Sequence, residues 1–122
     1  MKIRIKGNSL RIRLSRSEVN KLAVESYLEE QTSFSNSSLV YALQASPAGD
    51  QLSADFNNNK ITMFVPETLI KDWPVNTIVG FEATMPLTDT GTLYLLLEKD
   101  FMCFDATTED QSDSYENPNK TC

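Results

Sequence analysis

Residues 2–14 read Lys2-Ile3-Arg4-Ile5-Lys6-Gly7-Asn8-Ser9-Leu10-Arg11-Ile12-Arg13-Leu14, with apolar and basic side chains alternating on both sides of a polar break. Strict alternation is typical of a β-strand with one buried face, and two such runs around a short Gly-containing loop predict a β-hairpin. The apolar side chains then share one face of the hairpin, and the basic side chains share the other. This hairpin makes a β-rich fold the first expectation.

The residues after the hairpin predict a short helix over 16–24. Ser15 and Glu18 have the spacing of a capping box, in which each side chain satisfies a backbone amide near the other. Val19, Leu22 and Ala23 follow at helical spacing. A second short helix is predicted over 66–73, because Pro66 and Glu67 favour a helix start and Pro74 ends the segment.

The other segments between the loops alternate like strands or are enriched in strand-forming residues. They are residues 27–34, 39–45, 52–56, 60–65, 77–85 and 92–98. Together with the first hairpin they give an α+β fold of about eight mainly antiparallel strands and two short helices. We expect the strands to close as a barrel rather than to form a sandwich.

The order of elements indicates an internal repeat. An offset of 51 residues places Leu10, Ile12 and Leu14 on Ile61, Met63 and Val65. The identities are poor, and amphipathic hairpins resemble one another in any case. A duplicated ββαββ unit is therefore a hypothesis at this point.

Composition limits the class of protein. The chain has 122 residues, of which 40% are hydrophobic and 23% charged, as in a single globular domain. No apolar run approaches the ~20 residues of a membrane span, and the charged N-terminus is unlike a signal peptide. These features predict a cytoplasmic protein without membrane association. The absence of histidine excludes Ser-His-Asp and Cys-His catalysis and His-ligated zinc.

Charge is distributed unevenly along the chain. Seven of the eleven basic residues lie in the first 21 positions, and seven of the seventeen acidic residues lie in the last 25. We expect a β-rich domain over 1–104 and an acidic tail over 105–122 that packs on the basic hairpin. An isoelectric point near 4.5 argues against nucleic-acid binding.

The basic face of the hairpin is the candidate ligand-binding site. Arg4, Lys6, Arg11 and Arg13 fall on adjacent strands, so their charges repel one another unless an anion or carboxylates intervene. The functional interpretation is a site for phosphate or another small anionic ligand. The structural alternative is an ordinary sheet face, exposed to solvent or neutralised by Glu29, Glu30 and the tail.

The sequence predicts neither a metal site nor a cofactor. Cys103 and Cys122 would need carboxylates such as Asp105 and Asp110 to complete a zinc site, which is an unusual donor set for zinc. A cytoplasmic location argues against a disulfide between the two cysteines, because thiols are kept reduced there. We expect Cys103 to be buried and Cys122 to be an incidental thiol. The acidic run 109–116 lacks the spacing of a calcium loop.

Two resemblances bear on function. A barrel that begins with a charged hairpin is similar in shape to the triphosphate tunnel enzymes, but residues 2–6 contain no acid to bind magnesium. Residues 1–19, 98–103 and the run 109–122 resemble a small family of uncharacterised bacterial proteins of unknown function. That resemblance implies a complete single-domain protein whose tail belongs to the family pattern. It implies no activity, cofactor or catalytic residue.

We therefore expect a non-enzymatic domain that binds another protein or a second copy of itself. The alternative is a domain that binds a small anionic, phosphate-containing ligand through Arg4, Lys6, Arg11 and Arg13.

Overall fold

The computed structural model describes residues 1–101 and 113–115. Within these residues the chain forms eight strands and two helices, in the order ββαββββαββ. In chain order they are β1 Lys2–Lys6, β2 Ser9–Leu14, α1 Arg16–Glu25, β3 Tyr27–Ser33, β4 Ser38–Ser46, β5 Ser53–Asn57, β6 Lys60–Pro66, α2 Glu67–Ile70, β7 Gly80–Pro86 and β8 Thr92–Lys99. The predicted α+β class and the first hairpin are confirmed, and α2 is shorter than the segment 66–73 predicted for it.

The strands form two separate four-stranded sheets. The first sheet has the order β1-β2-β8-β7, and the second has the order β3-β4-β6-β5. In each sheet the outer pairs are antiparallel and the central pair is parallel, β2 with β8 and β4 with β6. The described strands therefore form no closed barrel, and the preference for a barrel was wrong.

The predicted ββαββ repeat is present in the topology. Residues 51 apart have equivalent positions in the two hairpins, since Ile5 pairs with Leu10 and Phe56 pairs with Ile61. The parallel pairs also correspond, because β2 aligns with β8 in one sheet as β6 aligns with β4 in the other. Each half of the chain thus contributes its first hairpin to one sheet and its second hairpin to the other.

The two hairpin turns confirm this relationship at the level of single hydrogen bonds. The Tyr94 amide donates to the carbonyl of Asn8 at 3.1 Å, and the Val40 amide donates to the carbonyl of Asn59 at 3.0 Å. Gly7 and Asn58 occupy equivalent turn positions, and both have positive φ angles, of 55° and 51°. Gly and Asn are the residues that tolerate this backbone conformation best.

Helix α1 has the predicted capping box. The Ser15 hydroxyl accepts from the Glu18 amide, and the Glu18 carboxylate accepts from the Ser15 amide. The helix ends at Ser26, which adopts a left-handed conformation and donates its amide to the carbonyl of Leu22. Val19 and Leu22 are the buried positions on this helix.

One hydrophobic core joins the two sheets and both helices. It contains Leu10, Ile12 and Leu14 from β2 and Leu43, Met63 and Val65 from the second sheet. Trp73, just after α2, is fully buried in this core and packs against Phe81, with ring centroids 4.9 Å apart and ring planes tilted by 55°. Each helix follows the second strand of a hairpin, α1 after β2 and α2 after β6. Both helices therefore begin at the strand ends opposite the hairpin turns, and neither α1 nor α2 covers the turn ends.

Candidate functional site

The four predicted basic residues lie on the first sheet. Arg4 and Lys6 are on the edge strand β1, and Arg11 and Arg13 are on β2. Arg4 is directly opposite Arg11 in the antiparallel register. The alternation of charge along the sequence therefore does place these side chains on neighbouring strands.

Glu98 neutralises half of this basic face. Its carboxylate accepts from Nε of Arg11 at 2.7 Å and from Nε of Arg13 at 2.9 Å. Glu98 reaches both side chains because it is the parallel register partner of Arg13 on β8. One form of the structural alternative expects Glu29, Glu30 and the tail to neutralise this face; for Arg11 and Arg13 the carboxylate is that of Glu98.

The described part of the tail contacts the start of α1, and its Asp113 lines a depression together with Arg13. The carboxylate of Asp113 accepts hydrogen bonds from the amide and hydroxyl of Ser17, at the start of α1. These bonds lower the pKa of Asp113. Tyr115 is buried, with its amide bonded to the carbonyl of Asp100 and its ring 5.8 Å from that of Phe101. Glu109, Asp110 and most of the predicted tail lie outside the described residues.

Arg4 and Lys6 are in a different electrostatic situation from Arg11 and Arg13. Neither side chain has an ion pair within the part of the chain that the structure describes. Together with Arg11, Tyr94 and Leu96 they line a surface depression of about 270 Å³. Arg13 instead lines a second depression, beside Asp113 and Glu18. The predicted four-residue site therefore divides into two, and three of its residues stay together. We call the depression with Arg4, Lys6 and Arg11 the basic depression.

An apolar cleft opens at the turn ends of the two sheets. Its volume is about 530 Å³, and both sheets contribute to it. Its apolar lining consists of Ile5, Leu10, Leu39, Ala54, Phe56, Ile61, Met85, Leu87 and Leu93. Gly7, Asn8, Ser9 and Asp55 complete the lining.

The internal repeat runs through this cleft. Ile5 and Phe56 are equivalent positions, as are Leu10 and Ile61, and each pair lines the cleft. Ile5 is 61% exposed and Phe56 is 64% exposed, although both face the apolar side of their hairpins. The two hairpins therefore present apolar side chains to an open space between the sheets, where nothing in the described chain covers them.

The basic depression has an equivalent on the second sheet that carries different charges. By the repeat, the positions of Arg4, Lys6 and Arg11 correspond to Asp55, Asn57 and Thr62. These three residues line a depression of about 380 Å³ together with Glu29 and Lys60. Lys60 is engaged there, because its amine donates to the Tyr27 hydroxyl at 2.7 Å and lies 3.6 Å from Glu29. The fold is symmetric around the cleft, but the charge beside the cleft is not.

A buried lysine lies at the other end of the first sheet. Lys99 is only 4% exposed, and its amine donates to the carbonyl of Asn76 at 2.9 Å. The amine lies 4.9 Å from the Tyr115 ring and 5.7 Å from the Trp73 ring, in cation–π range. Burial, and then the charge of Arg16, lower the pKa of Lys99. These contacts hold the segment at Tyr115 against the sheet.

Two kinds of feature are not found among the described residues: a cluster of metal-ligating side chains and a membrane-spanning helix. Within 1–101 and 113–115, no group of three or more His, Cys, Asp or Glu side chains could hold a metal ion. Cys103 and Cys122, for which a zinc site and a disulfide were considered, lie outside that part of the chain. Neither α1 nor α2 has the length and hydrophobicity to cross a bilayer.

Sequence reasoning missed the cleft and the role of Glu98. Ile5 and Phe56 look like ordinary core positions in an alternating strand, so their exposure is invisible in the pattern. The 51-residue offset was the available signal, because it makes the two residues equivalent. The pairing of Arg11 and Arg13 with Glu98 depends on the parallel register of β2 and β8, and no local pattern encodes that register.

Comparison with known protein families gives a match over nearly the whole chain. The sequence model of a family described as a family of unknown function, DUF7009, matches residues 1–119 and therefore includes the acidic stretch after residue 105. No curated protein and no solved structure gives a significant match. The chain belongs to this family of unknown function.

Proposed function

We propose that this member of DUF7009 is a non-enzymatic binding domain whose site is the apolar cleft between the two sheets. Its ligand is a small molecule with an apolar body. The observation that carries the proposal is the open space of about 530 Å³, lined by apolar side chains from both halves of the repeat. Ligand pockets in proteins have volumes of about 300–1,000 Å³ and are mostly apolar, with a few polar groups.

Exposed apolar side chains at the mouth of the cleft favour binding of an apolar ligand. Ile5 and Phe56 leave apolar surface in contact with water. Burying such surface is favourable by roughly 25 cal/mol per Å². A ligand that covers both residues gains this free energy without any rearrangement of the core.

A fluorescence titration tests this proposal. N-phenyl-1-naphthylamine is uncharged and becomes fluorescent in apolar surroundings, so we expect saturable binding to the wild-type protein. Phe56→Ser should weaken binding by about tenfold, because it removes a large contact surface from the cleft. Phe34→Ser is the matched control: Phe34 is 63% exposed but does not line the cleft. Equal loss in both variants would show that the probe binds exposed aromatic surface and not the cleft.

A blocking variant gives an independent test. Ala54 lines the cleft, and an indole at this position would fill part of its volume. Ala54→Trp should abolish probe binding while the protein still unfolds cooperatively on heating. Unchanged binding in this folded variant would contradict the proposal.

A second candidate function, binding of a small anion, is favoured by the basic depression. Arg4 and Lys6 have no ion pair among the described residues, and Arg11 is beside them. Thermal unfolding with pyrophosphate, compared with the same ionic strength of sodium chloride, measures this directly. A shift of several degrees that is lost in Arg4→Gln would support anion binding. A shift equal to that of chloride would exclude it.

A further inference from the structure

We infer that the apolar cleft and the basic depression are two halves of one site, and that its ligand is an amphipathic anion. The apolar chain of the ligand occupies the cleft, and its carboxylate, sulfate or phosphate head contacts Lys6 and Arg4. This inference rests on the proposed function, since it assumes that the cleft binds a ligand.

The two halves are adjacent in the structure. Ser9 and Leu10 line both the cleft and the basic depression. Lys6 lines the depression, and the next residue, Gly7, lines the cleft. The tip of the first hairpin is therefore the wall between them. A ligand chain that leaves the cleft over this tip arrives at the depression that Lys6 lines.

The positive charges at the basic depression also favour binding of an anion. Arg11 and Arg13 share the carboxylate of Glu98, but Arg4 and Lys6 have no such partner in the described chain. Arg4 is directly opposite Arg11, so two guanidinium groups lie on neighbouring strands. An anionic head would relieve this repulsion and form charge-assisted hydrogen bonds, which are about twice as strong as neutral ones.

The equivalent positions in the other half of the repeat indicate where the head goes. Asp55 and Asn57 stand where the first half has Arg4 and Lys6. Lys60, the cation nearby, already contacts Tyr27 and Glu29. An anion beside the cleft is therefore attracted by Arg4 and Lys6 on the first sheet and repelled by Asp55 on the second sheet.

Calorimetric titration of two ligands with the same chain tests the inference. Decanoate and decanol differ mainly in the charge of the head at neutral pH. We expect decanoate to bind at least about tenfold more tightly than decanol. Octanoate should bind more weakly than decanoate, by about fourfold per methylene removed.

Charge variants locate the head. Lys6→Gln and Arg4→Gln should each reduce the decanoate affinity severalfold and leave decanol binding unchanged. Lys60→Gln removes the same unit charge from the equivalent depression of the other half, so it serves as the matched control and should keep the preference for decanoate. Ala54→Trp should abolish binding of both ligands.

The outcomes separate the two proposals. Equal binding of decanoate and decanol, lost in Ala54→Trp, would overturn this inference and leave the apolar site in place. A preference for decanoate that survives Lys6→Gln and Arg4→Gln would also overturn it. Failure of both ligands to bind the wild-type protein would overturn the proposed function as well. Inorganic phosphate that binds as tightly as decanoate would mean a basic site independent of the cleft.

Discussion

Gly80 has no room for a side chain. It begins β7 directly opposite Glu98 on β8. A Cβ atom at this position would clash with the carbonyl oxygen of Leu97 and would lie 2.7 Å from Cβ of Glu98. Both obstacles belong to, or are attached directly to, the backbone of the central strand β8, so neither can move without disturbing the pairing with β2.

Gly80→Ala should therefore destabilise the protein by about 1–3 kcal/mol, the usual cost of forcing atoms into a packed structure. Gly91→Ala is the control, because its Cβ would meet nothing closer than 3.4 Å. We expect Gly91→Ala to be neutral or slightly stabilising. Urea unfolding of both variants gives the comparison, and equal stability of the two would contradict the close approach at Gly80.

The buried amine of Lys99 makes the stability of the protein depend on pH. Burial, together with the charge of Arg16, lowers the pKa of Lys99 from its ordinary value of 10.5. Between the lowered value and 10.5, the unfolded chain binds more protons than the folded chain, so stability rises with pH in this interval. The stabilising contribution is complete only above 10.5.

We predict that Lys99→Met removes this dependence. The free energy of unfolding of the wild type, minus that of the variant, should increase as the pH rises through the lowered pKa of Lys99 towards 10.5. Taking the difference cancels the titration of every group that the two proteins share. Chemical unfolding at a series of pH values measures it, and a difference independent of pH would show that burial does not perturb Lys99.

At the scale of elements, both ends of α1 depend on single serines. Ser15→Ala removes the hydroxyl that accepts from the Glu18 amide, and should cost about 1 kcal/mol. Ser26→Gly should have the opposite sign, because Ser26 has a φ of 65° and glycine adopts this conformation without steric cost. We expect a stabilisation of up to about 1 kcal/mol for Ser26→Gly. Thermal unfolding distinguishes the signs; a stabilising Ser15→Ala would refute the role of the cap.

Elements held by local interactions could be predicted from the sequence, and their long-range pairing could not. The first hairpin and the capping box depend on residues within about ten positions of one another. The parallel pairing of β2 with β8 joins residues about 85 positions apart, such as Ser9 and Tyr94. Nothing in an alternating pattern distinguishes this partner from another amphipathic strand, and the preference for a barrel was wrong for that reason.

The candidate site was predictable in part. The alternation of Arg4, Lys6 and Arg11 with apolar residues places them on one face, and the structure puts the three around one depression. Arg13 follows the same alternation and shares Glu98 with Arg11, but its side chain lines a different depression. The cleft depends on the space between two sheets, a property of the packed molecule that no single strand encodes.

At the scale of the whole molecule, the amino group of Met1 joins parts of both sheets. It precedes β1 in the first sheet and donates hydrogen bonds to Glu18 on α1 and, at 3.1 Å, to Glu30 on β3 in the second sheet. Burial opposes the charge of this amine, but the two carboxylates outweigh it and raise its pKa above 8.0. Burial likewise opposes ionisation of Glu18, and the amine together with the Ser15 amide lowers its pKa below 4.5.

The two pKa shifts make stability depend on pH in opposite directions. The raised amine pKa adds stability below pH 8.0 that is lost as the pH rises through the raised value. The lowered pKa of Glu18 adds stability above pH 4.5 that is lost as the pH falls through the lowered value. Glu18→Gln keeps the shape of the capping box and removes the charge, so we expect it to cost about 1.5–3 kcal/mol near neutral pH.

That cost should shrink on both sides of the interval between pH 4.5 and 8.0. Glu25→Gln, on the same helix, is the control, since Glu25 has no ion pair within residues 1–101 and 113–115. Guanidinium chloride unfolding screens charges, so urea is the denaturant of choice. A cost for Glu18→Gln that stays constant from acid to alkaline pH would contradict the contribution of the ion pairs.

The unequal charges on the two sides of the cleft would determine the orientation of a bound guest molecule. A cleft built from two equivalent hairpins would accept an elongated guest in either of two directions with equal probability. Arg4 and Lys6 on one side, against Asp55 and Asn57 on the other, make these directions unequal in energy. A ligand that binds as we propose would therefore have a defined polarity, with its anionic end beside the first sheet.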